Sequence, residues 1–372
     1  MRRSSREYLL SGIGALLLTG AASGQTCTPE PLLLMPSSFA NGVFLRGHSL
    51  FMVDAGALGR LDVSDPRNPY GLWSAPVKAL LGDVHVSGDL ALVSAYDQGL
   101  FIYDVAELPG VVGVYPTPDV MIESDAHENI AWLAIGSAGL MAVDISDPRR
   151  PQLMSHVQPP GGTESIAIRW PRAYVAGSGL LTVTDISDPT SPRIGNTLQA
   201  GSASSAIVLR GDVAYVAAFD AGLFIVSIAE PDSPVLLSSI DTGRAQELWI
   251  DGHFAYVADY LNGIDVVDVR DPLSPQLAGS YESQPGLSHY VAAADGIAYL
   301  SNGDPGLAIV DARECTRLCP ADTDSNFTID SRDFIRFLNA WASGTWWADW
   351  NGDRTFDTQD VIAFQNDWVN GC

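Results

Sequence analysis

A phrase close to Gly-Leu-x-x-x-Asp-Val/Ile recurs along this chain, with its aspartate at Asp62, Asp104, Asp144, Asp185, Asp268 and Asp311. A degenerate copy, "GLFIVSIAEPDSP", carries Ser227 in that place. Successive copies are 42, 40, 41, 42, 41 and 43 residues apart. A chain that writes one unit seven times builds one supersecondary structure seven times, and each unit must lean on its neighbours to bury its apolar faces. Within the fifth unit, "SAIVLRG", "VAYVAAF", "GLFIVSI" and "VLLSSI" read as four short strands rich in Val, Ile, Leu and Tyr, the pattern of an antiparallel meander. Four strands at a period near forty predict an all-β, seven-bladed β-propeller of four-stranded antiparallel blades.

The phrase "DISDPxxP" falls between the third and fourth strands. Its Asp and Ser side chains suit backbone amides of a turn, and its prolines end strand pairing. It therefore reads as shape, against the competing reading of a ring of metal-binding or catalytic carboxylates. The seventh unit stops after its third strand at "GLAIVDARECTRLCP". "CTPEPLLLMPSSFANGVFLRG" aligns with "SPVLLSSIDTGRAQELWIDG", so Leu32–Pro36 is expected to complete the last blade. In that blade the linker between strands three and four is cut, with Cys315 on one side and Cys27 on the other; a Cys27–Cys315 bridge would restore it. Cys319 and Cys372 bracket the C-terminal segment. Four cysteines allow three pairings, and the sequence leaves all three open.

Composition excludes some partners. With 44 acidic against 20 basic residues the formal charge is -24, a field that repels nucleic acid and anionic lipid. The N-terminus has Arg2, Arg3 and Arg6, an apolar run from Tyr8 to Leu18 and then small residues. It reads as a signal peptide over residues 1–24, too short to span a membrane. A secreted, periplasmic or cell-envelope location is expected, with no integral membrane span.

Past Cys319 the composition shifts. "DTDSNFTIDSRD" and "DWNGDRTFDTQD" start 27 residues apart, at Asp322 and Asp349. Oxygen-bearing side chains stand at loop positions one, three, five, nine and twelve. These are Asp322, Asp324, Asn326, Asp330 and Asp333, then Asp349, Asn351, Asp353, Asp357 and Asp360, with the backbone carbonyls of Thr328 and Thr355 at position seven. Calcium takes six to eight hard oxygens from such a loop. Helical patterns follow at "FIRFLNAW" and "VIAFQNDW". Position six, normally Gly for a sharp bend, is Phe327 or Arg354, a departure that bears on affinity. Five of the nine Trp lie here, Trp341, Trp346, Trp347, Trp350 and Trp368; most suit the core of a small module, and of the adjacent Trp346 and Trp347 one is a candidate binding anchor.

This segment resembles a dockerin-type module, in particular the planctomycete-type variant framed by "CPAD…GC". The resemblance implies calcium as cofactor and attachment to a cohesin-like receptor or envelope component. The propeller expected over residues 25–316 resembles, from Leu32 to Asp311 and through "GLFIYDV", "GLMAVDISDP" and "GIDVVDVRDP", the LVIVD-repeat propellers, a resemblance that implies a fold and no common activity. Residues 317–372 form the expected dockerin-like unit.

At the propeller's mouth, aligned units put Asn41, Asp83, Glu123, Glu164, Ser205, Glu247 and His289 at the start of the innermost strands. Asp97, Asp220, Asp259, Tyr260 and Asp304 fall in the hairpins between strands two and three. The sharpest catalytic candidates are Glu164 and Glu247 as acid and base, with His289 nearby. No nucleophile elbow, zincin motif or phosphate loop accompanies them. The expected function is that of a secreted, monomeric, non-catalytic interaction protein: an acidic propeller platform with a calcium-dependent tail that binds another extracytoplasmic protein. The alternative is an extracellular polysaccharide hydrolase or lyase with its site at the channel mouth.

Overall fold

The computed structural model describes residues 27–37, 40–54, 56–106, 110–201, 203–283, 288–303, 306–316, 330–342, 348, 350, 355 and 357–370. The expected signal peptide, Cys319, Cys372, Trp346, Trp347 and Asp304 lie outside the described residues, as do Asp322, Asp324, Asn326, Thr328, Asp349, Asn351 and Asp353 of the expected calcium loops.

Strands are numbered β1 to β28 in chain order. They form seven four-stranded antiparallel sheets. Blade I is a meander of β2 (Val43–Arg46), β3 (Ser49–Asp54), β4 (Ala57–Asp62) and β5 (Tyr70–Pro76), and blades II to VI repeat that order. The innermost strands of blades II to VII are β6 (Val84–Ser87), β10 (Glu123–His127), β14 (Ser165–Arg169), β18 (Ala206–Arg210), β22 (Ala245–Asp251) and β26 (Tyr290–Ala294). Each packs beside the next, and β26 returns to β2. In blade VII the order is β26, β27 (Ile297–Ser301), β28 (Gly306–Asp311) and then β1 (Glu30–Pro36). The N-terminal strand thus completes the last blade, as the alignment of Leu32–Pro36 predicts.

Alternating side chains give every blade two apolar faces, and the buried residues accordingly separate into seven clusters, one per blade–blade interface. Between blades I and II, Phe51, Val53 and Leu58 meet Val84, Val93 and Tyr103. Between VII and I, Tyr299, Leu307 and Ile309 meet Val43, Leu50 and Leu61, with Leu33 and Met35 of β1 packed against them. In all seven blades the pairing of the third and fourth strands contains a register shift. A bulge there adds twist to the outer strand.

The repeated phrase is shape, and its hydrogen bonds say how. Asp62, Asp104, Asp144, Asp185, Asp268 and Asp311 each accept, through Oδ1, the backbone N–H two residues on, at 2.8 to 3.1 Å. Ser227 does the same through Oγ at 3.4 Å. The second aspartate of the phrase repeats the turn at Asp65, Asp147, Asp188 and Asp271.

The same loop also ties blades together. Ser155 on β13 (Gln152–Val157) donates to the Pro189 carbonyl of the next blade at 2.6 Å. Asn196 on β17 (Arg193–Gln199) donates to the Asp232 carbonyl at 2.5 Å, and Ser238 on β21 (Val235–Ile240) donates to the Pro272 carbonyl at 2.7 Å. One blade further, the equivalent residue is Gly279 on β25 (Gln276–Glu282), and what it meets is the Cys27–Cys315 disulfide. These cysteines have Cα atoms 5.3 Å apart and are separated by 288 residues. Cys27 donates its N–H to the Ala278 carbonyl at 2.9 Å, and Cys315 lies in the short helix α1 (Arg313–Thr316). A Cβ on Gly279 would meet Cys315 Sγ at 2.6 Å and the Cys27 carbonyl oxygen at 2.7 Å.

Two further helices, α2 (Ser331–Ala342) and α3 (Thr358–Asn370), fall where the helical patterns of the tail predict. Phe337 and Phe364, 27 residues apart, stack at 4.1 Å with planes 3° apart, and Trp341, Trp350 and Trp368 pack around them.

Replacing Cys27 and Cys315 by Ser is expected to cost about 2–5 kcal/mol of stability, read as a fall in the urea midpoint. Gly279→Ala should free both thiols in a fraction of the folded chain, measured by thiol titration; full protection in that variant would contradict the packing described.

Candidate functional site

Each innermost strand enters a two-residue hairpin, whose first residue is Gly47, Gly88, Glu128, Trp170, Gly211, Gly252 or Asp295 in blades I to VII. Counting back five residues from that anchor gives Gly42, Asp83, Glu123, Ser165, Ala206, Glu247 and Tyr290. Backbone pairing confirms the equivalence one residue earlier. The N–H groups of Asn41, Gly82, Ile122, Glu164, Ser205 and His289 donate to Val53, Ser94, Ala134, Ala176, Ala217 and Ser301 respectively.

The sequence alignment therefore mixes two rings. Asp83, Glu123 and Glu247 belong to one; Asn41, Glu164, Ser205 and His289 belong to the ring one residue before it. Strand periodicity is two, so this slip exchanges the faces of a blade. Glu164 does not line the central cavity; its carboxylate accepts the backbone N–H of Ser178 in its own blade. His289 packs edge-on against Tyr260 at 5.4 Å, and burial lowers its pKa. The proposed pairing of Glu164 with Glu247 and His289 is not what the fold assembles around Glu247. Tyr290 takes the ring position beside it.

The hairpin residues scatter. Asp97 is exposed, and Asp220 pairs with Arg244 at 2.9 Å on the surface. Buried Asp259 holds the Leu261 N–H and the Asn262 side-chain amide at 3.0 and 2.8 Å. Tyr260 lies against Phe219 at 6.1 Å, over which Arg244 sits at 5.5 Å.

All seven innermost strands contribute to a central cavity of about 320 Å³. Its polar lining is Asp83, Glu123, Ser124 and Glu247 with Tyr290, then His85 and Asp125 a layer deeper, and Phe44 and Trp249 form part of its wall. Innermost strands are sheet edges with unpaired N–H groups, and carboxylates answer several of them. Asp125 Oδ2 accepts from Ile168 of the next blade at 2.7 Å and Oδ1 from Ala126 at 2.6 Å. Glu247 Oε1 accepts from Leu248 at 2.9 Å. Ser165 accepts from Ile207 N–H at 3.0 Å and bonds Glu123.

Burial governs how these acids titrate. It pushes Asp83 up to about 7 and Glu247 up to about 8. Glu123 is raised well above the usual range by burial and then by the charges of Glu247 and Asp83. The Tyr290 hydroxyl is raised by burial and by Asp83, Tyr96, Glu247 and Glu123. Burial lowers His85, against the pull of Asp125, whose Oδ1 lies 3.5 Å from His85 Nε2. His85, Asp125, Trp249, Phe44 and Tyr290 escape the sequence reading. Counting back from the hairpin anchor, a mark present in the sequence, would have found the ring.

In the tail, the described loop residues show one arrangement twice. Asp333 Oδ2 accepts the Asp330 N–H and Asp360 Oδ2 accepts the Asp357 N–H, each at 2.9 Å. Trp368 Nε1 donates to the Asp330 carbonyl at 3.2 Å and Trp341 Nε1 to the Asp357 carbonyl at 3.1 Å. Asp333 and Asp360 are fully buried. Among the described residues no three His, Cys, Asp or Glu side chains converge as a metal site, and no helix is long and apolar enough to cross a membrane.

The architecture defines a seven-bladed β-propeller. Comparison with known families adds that the chain carries LVIVD repeats, matched at residues 125–158, 160–197, 200–242 and 243–283. No curated protein matches the chain significantly. Among solved structures it is similar to the Cps50 (Swd1) β-propeller domain of Myceliophteria thermophila, with a TM-score of 0.63 and 12% identity over 75% of this chain and 98% of that one. It is also similar to the computationally designed protein Ika8, with a TM-score of 0.57 and 12% identity over 75% and 99% of the two chains. At such identity the likeness speaks for the fold alone.

The raised acids make a signed prediction. A folded pKa above the unfolded value of about 4 means that the folded chain holds extra protons. The stability they contribute is present at low pH and is lost as pH rises through about 7 and 8 for Asp83 and Glu247. The melting temperature should fall between about pH 5 and about pH 9, and Glu247→Gln should flatten that fall. Identical slopes in the two proteins would contradict the burial of Glu247.

Proposed function

We propose that this is a secreted, non-catalytic interaction protein, in which the propeller is a rigid acidic platform and the C-terminal helix pair is a calcium-dependent, dockerin-like attachment tail. The observation that carries the reading is the duplicated loop ending. Asp330 with Asp333, and Asp357 with Asp360, make the same hydrogen bonds 27 residues apart. Each helix anchors the other loop through Trp341 or Trp368.

The donor chemistry fits calcium. The carboxylates of Asp330, Asp333, Asp357 and Asp360 and the carbonyl of Thr355 would hold it, together with Asp322, Asp324, Asn326, Thr328, Asp349, Asn351 and Asp353 of the same loops. Bound calcium would neutralise these carboxylates and fix the helices that meet the partner. That partner is an extracytoplasmic protein, a cohesin-like receptor or an envelope component. The hydrolase or lyase reading gains nothing from Glu164, which bonds Ser178 outside the cavity.

Capture from envelope extract separates the possibilities. The full chain should retain one protein in calcium and lose it in chelator. The double variant Asp333→Ala/Asp360→Ala and a chain ending at Thr316 should not retain it. Equal capture by all three chains would move recognition to the propeller and sink the attachment role of the tail.

A further inference from the structure

We propose that the central cavity is a binding site for a small organic cation, an ammonium compound, with Asp83, Glu123 and Glu247 as its counter-charge and Phe44, Trp249 and Tyr290 as its aromatic wall. This goes beyond the attachment reading and does not depend on it.

The cavity comes first. Space of about 320 Å³ enclosed by seven strands is in the range that holds a small molecule, and the ring closes around it because every blade completes its neighbour's core. The wall comes second. Phe44 and Trp249 stand edge to face at 5.8 Å, and Phe44 meets the His85 ring at 5.2 Å, so aromatic surface from blades I and VI converges on one space. Aromatic faces attract a cation through their quadrupole, more strongly where water is excluded.

Charge comes third. Four carboxylates line the cavity and no Lys or Arg does; the imidazole of His85 is its single basic group. Asp125 is engaged by two backbone N–H groups. Asp83 and Glu247 each receive one, from the next residue in the chain. Burial and mutual repulsion favour the protonated form of these acids, and a cation among them would favour the ionised form and pair with it. The donors do not draw together as a chelate, since among the described residues no three such groups converge. A diffuse charge of molecular size matches that spacing better than a bare metal ion, which needs oxygens at close range.

The test is calorimetric titration of the full chain with choline and with its neutral isostere 3,3-dimethylbutan-1-ol. Choline should give a saturable one-site isotherm, and the neutral compound should bind at least about tenfold more weakly. Glu247→Gln and Asp83→Asn should each weaken choline at least about fivefold, whereas Glu164→Gln should leave it unchanged. Thermal melts establish that each variant is folded; should Glu247→Gln not fold, Asp83→Asn and Trp249→Leu decide the question. The proposal is overturned if choline gives no isotherm, if the neutral isostere binds equally well, or if the carboxylate variants bind choline as the wild type does. Displacement of choline by calcium would overturn it in favour of a metal site.

Discussion

A four-stranded blade made of alternating apolar residues has two faces to bury and cannot bury either by itself. Everything else in this propeller depends on that constraint. The buried residues divide into one cluster per interface, so the seventh interface, between blades VII and I, is as necessary as the other six. An open row of blades would leave two apolar faces in water, at a cost proportional to the area exposed. Closure is therefore the condition under which the repeat has a core at all, and β1 achieves it by carrying the first stretch of chain into the last blade.

That solution breaks one connection. Elsewhere, the loop between strands three and four reaches the outer strand of the preceding blade, where Ser155, Asn196 or Ser238 donates to its carbonyls. In blade VII the loop does not exist as continuous chain, because its strands come from opposite ends of the sequence. The Cys27–Cys315 disulfide occupies the vacant place and packs on Gly279, whose lack of a side chain makes the room. A covalent bond and a glycine replace a turn and a side-chain donor.

The fold was legible because its signals are periodic and redundant. Seven phrases agree on strand order, and the truncated seventh unit points to Leu32–Pro36 as the missing strand. The helices of the tail were legible for a similar reason, a 27-residue duplication that the Phe337–Phe364 stack and the crossed Trp341 and Trp368 bonds share. The cavity was only half legible. Loops before the innermost strands differ in length, so aligning their ends shifted Glu164 and His289 by one residue onto the wrong face while keeping Asp83, Glu123 and Glu247 in place. The invariant landmark is the hairpin after the strand, because geometry fixes its two-residue length. Asp125 and His85 carried no motif; what selects them is a neighbouring blade, which a linear reading does not see.

Closure also dictates the chemistry at the centre. Seven edge strands brought around one axis aim unpaired N–H groups at a common space, and those groups favour acceptors. Acceptors without a charge would suffice, and Ser165 shows that a hydroxyl can take an edge N–H. Ala206 and Gly42 show that the position can do without a side-chain acceptor. Three of the seven positions are nonetheless carboxylates, close enough to raise one another's pKa values. Edge satisfaction explains an oxygen at a site; it does not explain three ionisable acids placed together. The excess of acids is a feature of the interior space and not of the strands, and it is what distinguishes the centre of this ring from its repeated frame.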